Sequence, residues 1–262
     1  MNNMFCLVKT EIWKLKRYYI LWAGILLMML SVLLTIFSTT AIDGTVWTFS
    51  LFAEQVIKNN TTTIFPMCIT LVVGYIIMRE EKDDTLKILL TVPVSYRRLL
   101  WGKMIVGVWI SLILGLASGV FTVAAQFLMG FPGFSAVSVA QAFLQITFNC
   151  LFLYLAVMPI IVIAARMSNG HVVGTIIAFV YGYCGMFAAG NGTLADIYPV
   201  TASLGLIGYR SYDPGVHWNM IECLLSVIIS VLISAAFVFT AREREPGKTV
   251  KKAQKAVVKK GW

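Results

Sequence analysis

The chain is short of charge. Of its 262 residues only 13% are Asp, Glu, Lys or Arg, whereas 59% are hydrophobic; ordinary soluble domains carry about 25% charged residues. With a mean hydropathy of +0.83, the composition places the chain in a bilayer, and no polar stretch is long enough to build a separate soluble domain. Cysteine is sparse and scattered. Cys6, Cys68, Cys150, Cys184 and Cys223 stand alone in or beside apolar runs, with no C-x-x-C among them, so they read as small apolar core residues and exclude a disulfide or zinc framework. H-E-x-x-H and G-x-S-x-G are missing, and the two histidines, His171 and His217, fall on opposite predicted faces of the membrane. Gly247, Lys248 and Thr249 match only the end of a Walker A loop. The position where its first glycine belongs is Arg242, and no strand precedes it, so no phosphate cradle is predicted. The chain is therefore not expected to be an enzyme, nor to bind a metal or a nucleotide itself.

Long apolar runs are what the chain does have. A hydrocarbon core of about 30 Å takes about 20 residues of helix, and six runs qualify: 18–37, 62–78, 104–129, 140–165, 172–189 and 220–241. The first is too long for a signal-peptide core and no small-residue cleavage site follows closely, so it is predicted to remain as a span. Pro159 is expected to kink the fourth. The fold class is all-α integral membrane, with residues 1–17 as an interfacial helix, 18–241 as a six-span domain and 242–262 as a basic tail.

Basic residues set the orientation. All of the 21 Lys and Arg except Lys58 and Arg210 fall on one side of the six spans, so both termini and the 79–103 loop are predicted to be cytoplasmic. That bias accounts for the net charge of +9 without nucleic acid. The N-terminal stretch places Phe5, Val8, Ile12 and Leu15 on one stripe with Lys9, Lys14 and Lys16 off it, the pattern of a helix lying in the membrane interface. The tail, with Lys251, Lys252, Lys259 and Lys260, suits either anionic lipid or plain solvation. N-x-T sequences at Asn59, Asn60 and Asn191 are expected outside, where glycosylation depends on the host.

Within the spans, small residues recur every fourth position. Gly107, Ser111, Gly115 and Gly119 form such a ridge in the third, and Gly174 and Gly182 belong to another in the fifth; both predict close helix contact, within one chain or between two. Gln141, Gln145 and Asn149 share one face of the fourth span. They line a substrate path or, as the favoured reading, bond between helices. Carboxylates are missing from mid-span positions, which argues against a proton- or sodium-driven secondary transporter.

The 79–103 loop carries the sharpest signal. Asp84 or Thr85 caps a short predicted helix, Leu86, Leu89 and Leu90 give it an apolar face, Pro93 ends it, and Ser95 caps the helix that re-enters the membrane. Glu80, Thr85, Leu89, Leu90, Pro93, Arg97, Gly102 and Lys103 stand at spacings that resemble the first cytoplasmic loop of type-2 ABC exporter membrane subunits. Asp84 occupies a position where that family usually has Gly. The compact layout is similar to peptide-antibiotic immunity transporters of lantibiotic or bacitracin type. The resemblance implies a permease in a bacterial plasma membrane. It implies a separate cytoplasmic ATPase that holds ATP and Mg and docks on Glu80, Thr85, Leu86, Leu89, Leu90, Pro93 and Arg97. It also implies a second permease half, membrane lipid around the spans, and a loop between the last two spans, 191–218, that turns back into the membrane. An ion-coupled secondary transporter and a non-transporting membrane scaffold or sensor are the other readings of the same sequence.

Overall fold

A computed structural model describes residues 4–15, 18–41, 46–82, 95–167, 170–210 and 217–241. The described residues form helices and connecting turns only. In chain order these are α1 (Met4–Leu15), α2 (Ile20–Thr39), α3 (Phe49–Asn59), a π-helical segment (Asn60–Ile64), α4 (Phe65–Lys82), α5 (Tyr96–Met129), α6 (Ala136–Ala164), α7 (Gly170–Ala188), α8 (Gly192–Ile197), α9 (Pro199–Leu206) and α10 (Met220–Phe239). Six helices are long and apolar enough to cross a membrane: α2, the continuous rod Phe49–Glu80, α5, α6, α7 and α10. The fold is an all-α integral membrane protein.

The second span is the largest departure from expectation. A span over 62–78 is predicted, yet the helix starts at Phe49. Glu54, Lys58, Asn59 and Asn60 give the run 49–61 a polar, extramembrane appearance, but the neighbouring helices satisfy the asparagines. Asn60 is 1% exposed, and its amide bonds Ser31 and Ser118. Asn60 therefore lies inside the bundle and offers no place for a glycan. Pro66 accounts for the π turn beside it. Its ring has no N–H for the Thr62 carbonyl, and the backbone shifts to a wider register, with Phe65 N–H bonded to Asn60 O.

That rod is the most enclosed span, whereas α2, α7 and α10 keep most of their surface open. The main core gathers around it, from Phe65, Ile69, Val72 and Val73 on the rod, Met104 and Ile110 on α5, and Tyr154 and Ile161 on α6. The α5–α6 hairpin is set by local chemistry. Gly130 ends α5 in the left-handed region at φ 65°, where a Cβ would be strained, and Ser135 and Ser138 form a reciprocal capping box that starts α6. Within the 191–218 stretch, α9 is buried against α6, α7 and α10.

Candidate functional site

The 79–103 loop is rooted in a buried lattice of four charges. Glu11 and Lys14 come from α1, Glu80 from the end of α4 and Lys103 from the second turn of α5. Lys103 Nζ lies 3.0 Å from Glu11 Oε2 and 3.1 Å from Glu80 Oε2, and it also donates to the Ile76 carbonyl at 3.2 Å. Lys14 Nζ lies 2.6 Å from Glu11 Oε1 and 2.7 Å from Glu80 Oε1. Two carboxylates and two ammonium groups alternate, so each charge meets two of opposite sign. Glu11, Glu80 and Lys103 are all under 5% exposed, and charges so buried persist only when paired and hydrogen-bonded. Burial alone would raise the Glu11 carboxyl, but Lys103 and Lys14 outweigh it and hold it below the usual carboxylate range. Burial would likewise lower Lys14, yet its bonds to Glu11 and Glu80 drive it well above the usual ammonium range.

The lattice works with close packing. Gly102 lies directly under the Leu7 side chain, so a Cβ there would have to displace the end of that leucine. Val8 and Ile12 add apolar contact to the same core. Arg97 Nε, in the first turn of α5, donates to the Ala241 carbonyl just past the end of α10 at 3.2 Å. Arg166 donates to the Phe237 carbonyl and, at 2.7 Å, to the Thr240 hydroxyl. Two guanidinium groups therefore cap the negative end of the sixth span. A displacement of the loop reaches α1, α4 and α5 through the lattice and α10 through Arg97.

A second polar assembly lies at the π turn. Asn60 bridges α2 and α5, accepting from Ser31 at 2.6 Å and donating to Ser118 at 2.9 Å. Asn149 on α6 donates to Thr61 at 2.8 Å and accepts from Ser203 on α9 at 3.2 Å. Four spans and the inturned α9 meet here through neutral amides and hydroxyls.

Among known proteins, a family model described as ABC-2 family transporter protein matches residues 7–185, which take in most of α1, the first four spans and most of the fifth. The chain belongs to the ABC-2 transporter family. No curated protein matches it. An ABC-2 permease is a multi-pass transport subunit, and the family implies an ABC ATPase beside it.

Of the residues expected to couple this ABC-2 permease to its ATPase, Glu80 and Arg97 are placed and both turn inward to the permease. Glu80 belongs to the lattice and Arg97 holds the sixth span, so they brace the loop on the membrane domain. Thr85, Leu86, Leu89, Leu90 and Pro93 lie outside the described residues. The small-residue ridges pack within the chain. Gly107 faces Tyr154, a Cβ on Gly115 would sit 2.9 Å from Thr147 Cα, and Gly119 faces Phe143, all on α6; Ser111 is fully buried. Gly174 meets Ala164 and Gly182 meets the Thr62 carbonyl, the one freed by Pro66. Asn149 and Gln145 spend their amides on other helices and turns, Gln145 on the Ile207 carbonyl at 3.2 Å, whereas Gln141 is exposed. They do not form a continuous polar path.

Sequence reasoning missed Glu11 altogether and read Lys14 only as a surface charge. The available signal was a lone acid on the N-terminal helix, three residues before a lysine, in a chain that carries acid at the root of its 79–103 loop.

Proposed function

We propose that this permease is half of the membrane domain of an ATP-driven exporter in a bacterial plasma membrane, with both termini cytoplasmic. A separate ATPase subunit holds ATP and Mg and docks on the 85–93 segment, with Leu86, Leu89 and Leu90 filling its groove. A second half, identical or related, completes the path. The cargo is an amphipathic antimicrobial peptide, removed from the membrane or the cell to give immunity or resistance. The observation that supports coupling is the lattice at the loop's two roots. Glu80 precedes the loop and Lys103 follows it, and the two meet at 3.1 Å. A push on the docking segment is delivered to both roots together instead of being lost in a hinge.

Coupling is tested by purifying the tagged chain from its native membrane beside a variant with Leu89→Ala and Leu90→Ala. Recovery of a soluble ATPase of about 25–35 kDa, a typical size for such a unit, with wild type alone places the docking site. Equal recovery, together with unchanged peptide extrusion by the variant, refutes the role of these leucines. Immunity to amphipathic peptides in cells with and without the chain tests the cargo separately.

A further inference from the structure

A groove of about 740 Å³ runs down the outside of the bundle between α6, α7 and α10, walled by Pro159, Ile177, Tyr181, Ile229 and Ile233 with Glu222 at one end. We infer that it binds the acyl chains of a membrane lipid that carries an amine head group, with Glu222 pairing the ammonium.

Length comes first. Along α10 the groove extends from Glu222 to Ile233, about 16 Å at the helical rise of 1.5 Å per residue, or one leaflet of a hydrocarbon core of about 30 Å. Trp218, just ahead of Glu222, donates its indole N–H to the Tyr209 carbonyl at 2.8 Å, and Tyr198 lies at the same end; such aromatic residues mark the head-group level. By the orientation read from the basic residues, this is the outer leaflet.

Polarity then chooses the occupant. The groove's wall is apolar almost throughout, from Ala156 and Ile160 on α6 to Leu225 and Ile233 on α10, which suits acyl chains along their whole length. The backbone groups of an extended peptide would need partners away from water. Ser226 already donates to the Ile197 carbonyl at 2.5 Å and Ser230 to the Ser226 carbonyl at 3.2 Å, and one further hydroxyl on the wall, that of Tyr181, cannot serve a whole strand. Acyl chains need no partners.

Charge selects the head group. Glu222 is exposed at the mouth and accepts from the Asn219 amide at 2.8 Å. Asp196 lies buried behind it, accepting from the Asn219 N–H and the Cys223 thiol. Among the described residues no cation pairs with either carboxylate. The mouth is therefore negative. It attracts an ammonium within hydrogen-bond reach and repels a purely anionic head.

The test is native mass spectrometry of the full chain in mild detergent, titrated with phosphatidylethanolamine or with phosphatidylglycerol of the same acyl chains. Wild type is expected to retain the amine lipid about fivefold better, the discrimination that one solvent-accessible charge pair gives. Glu222→Gln, an exposed side chain outside the packed core, should bring the ratio to about one. Ile229→Trp, which fills the groove from its lipid-facing wall, should reduce retention of both. Preference unchanged in Glu222→Gln, or retention unchanged in Ile229→Trp, overturns the assignment. Glu222-dependent binding of a cationic amphipathic peptide, with the two lipids bound alike, also overturns it and gives the groove to peptide.

Discussion

Lys103→Met is the sharpest probe of the charge lattice. Methionine keeps the length and apolar stem of the side chain, so the packing around that stem changes little while the ammonium is lost. Two carboxylates, Glu11 at 3% and Glu80 at 4% exposure, then keep one of the two lattice ammonium groups, Lys14, and the Ile76 carbonyl loses a donor. Removing one partner of a buried ion pair costs about 3–5 kcal/mol, most of it the penalty of the charge left behind. Adding Glu80→Gln removes that charge and leaves the Glu11–Lys14 pair. Neutralising both members of a buried pair is often close to neutral, so the double variant should recover to within about 1 kcal/mol of wild type. Unfolding in mixed micelles titrated with SDS, followed by tryptophan fluorescence, measures all three proteins. A single variant destabilised by less than about 1 kcal/mol, or a double variant no better than the single, would refute the claim that the lattice is a mutually dependent buried network.

The remaining predictions use the same measurement. Gly115→Ala puts its Cβ 2.9 Å from the Thr147 backbone, which cannot swing aside as a side chain does, so α5 and α6 must part at a cost of about 1–3 kcal/mol; a variant as stable as wild type contradicts the packing. Gly130→Ala meets nothing within 4 Å, but it forces a side chain to φ 65° and should cost about 1 kcal/mol. Asn60→Leu keeps the branching and the number of heavy atoms but strands Ser31 and Ser118, for about 1–2 kcal/mol. Stability should also be flat in pH across the neutral range. The contribution of Glu11, whose carboxyl is held low in the fold, is present above its ordinary value of 4.5 and fades as pH falls through the lowered one. That of Lys14 is complete below its ordinary value of 10.5 and fades as pH rises through the raised one. A midpoint near neutrality would mean that other groups control stability.

The parts of this fold that were legible in the sequence are those where one physical requirement dominates. Twenty apolar residues have few alternatives to a span, and the Gly107–Gly119 ridge signals close approach because only a missing side chain lets two backbones come so near. The 49–61 stretch was misread because composition cannot distinguish polar groups that face water from polar groups that face each other. Asn60 looks extramembrane until Ser31 and Ser118, distant in sequence, are brought to it. Glu11 was missed for the same reason, since a carboxylate on an interfacial helix ordinarily faces water and only the tertiary fold delivers Lys103 to it. In this permease the two kinds of polar assembly are also different in stiffness. Neutral amides and hydroxyls at the π turn give bonds worth about 1 kcal/mol each, weak enough for helices to shift past one another. The charge lattice constrains its members more sharply, because drawing one charge away while its partner stays buried costs about 3–5 kcal/mol. That ordering suits the proposed coupling, in which force enters at the lattice end. Under the proposed coupling, the loop roots would move with α1 as one body and the spans would yield at the π turn beside Pro66. Replacing Asn60 should therefore loosen the spans around the π turn while leaving the α1–α4–α5 lattice closed, and hydrogen exchange resolved by segment would separate the two.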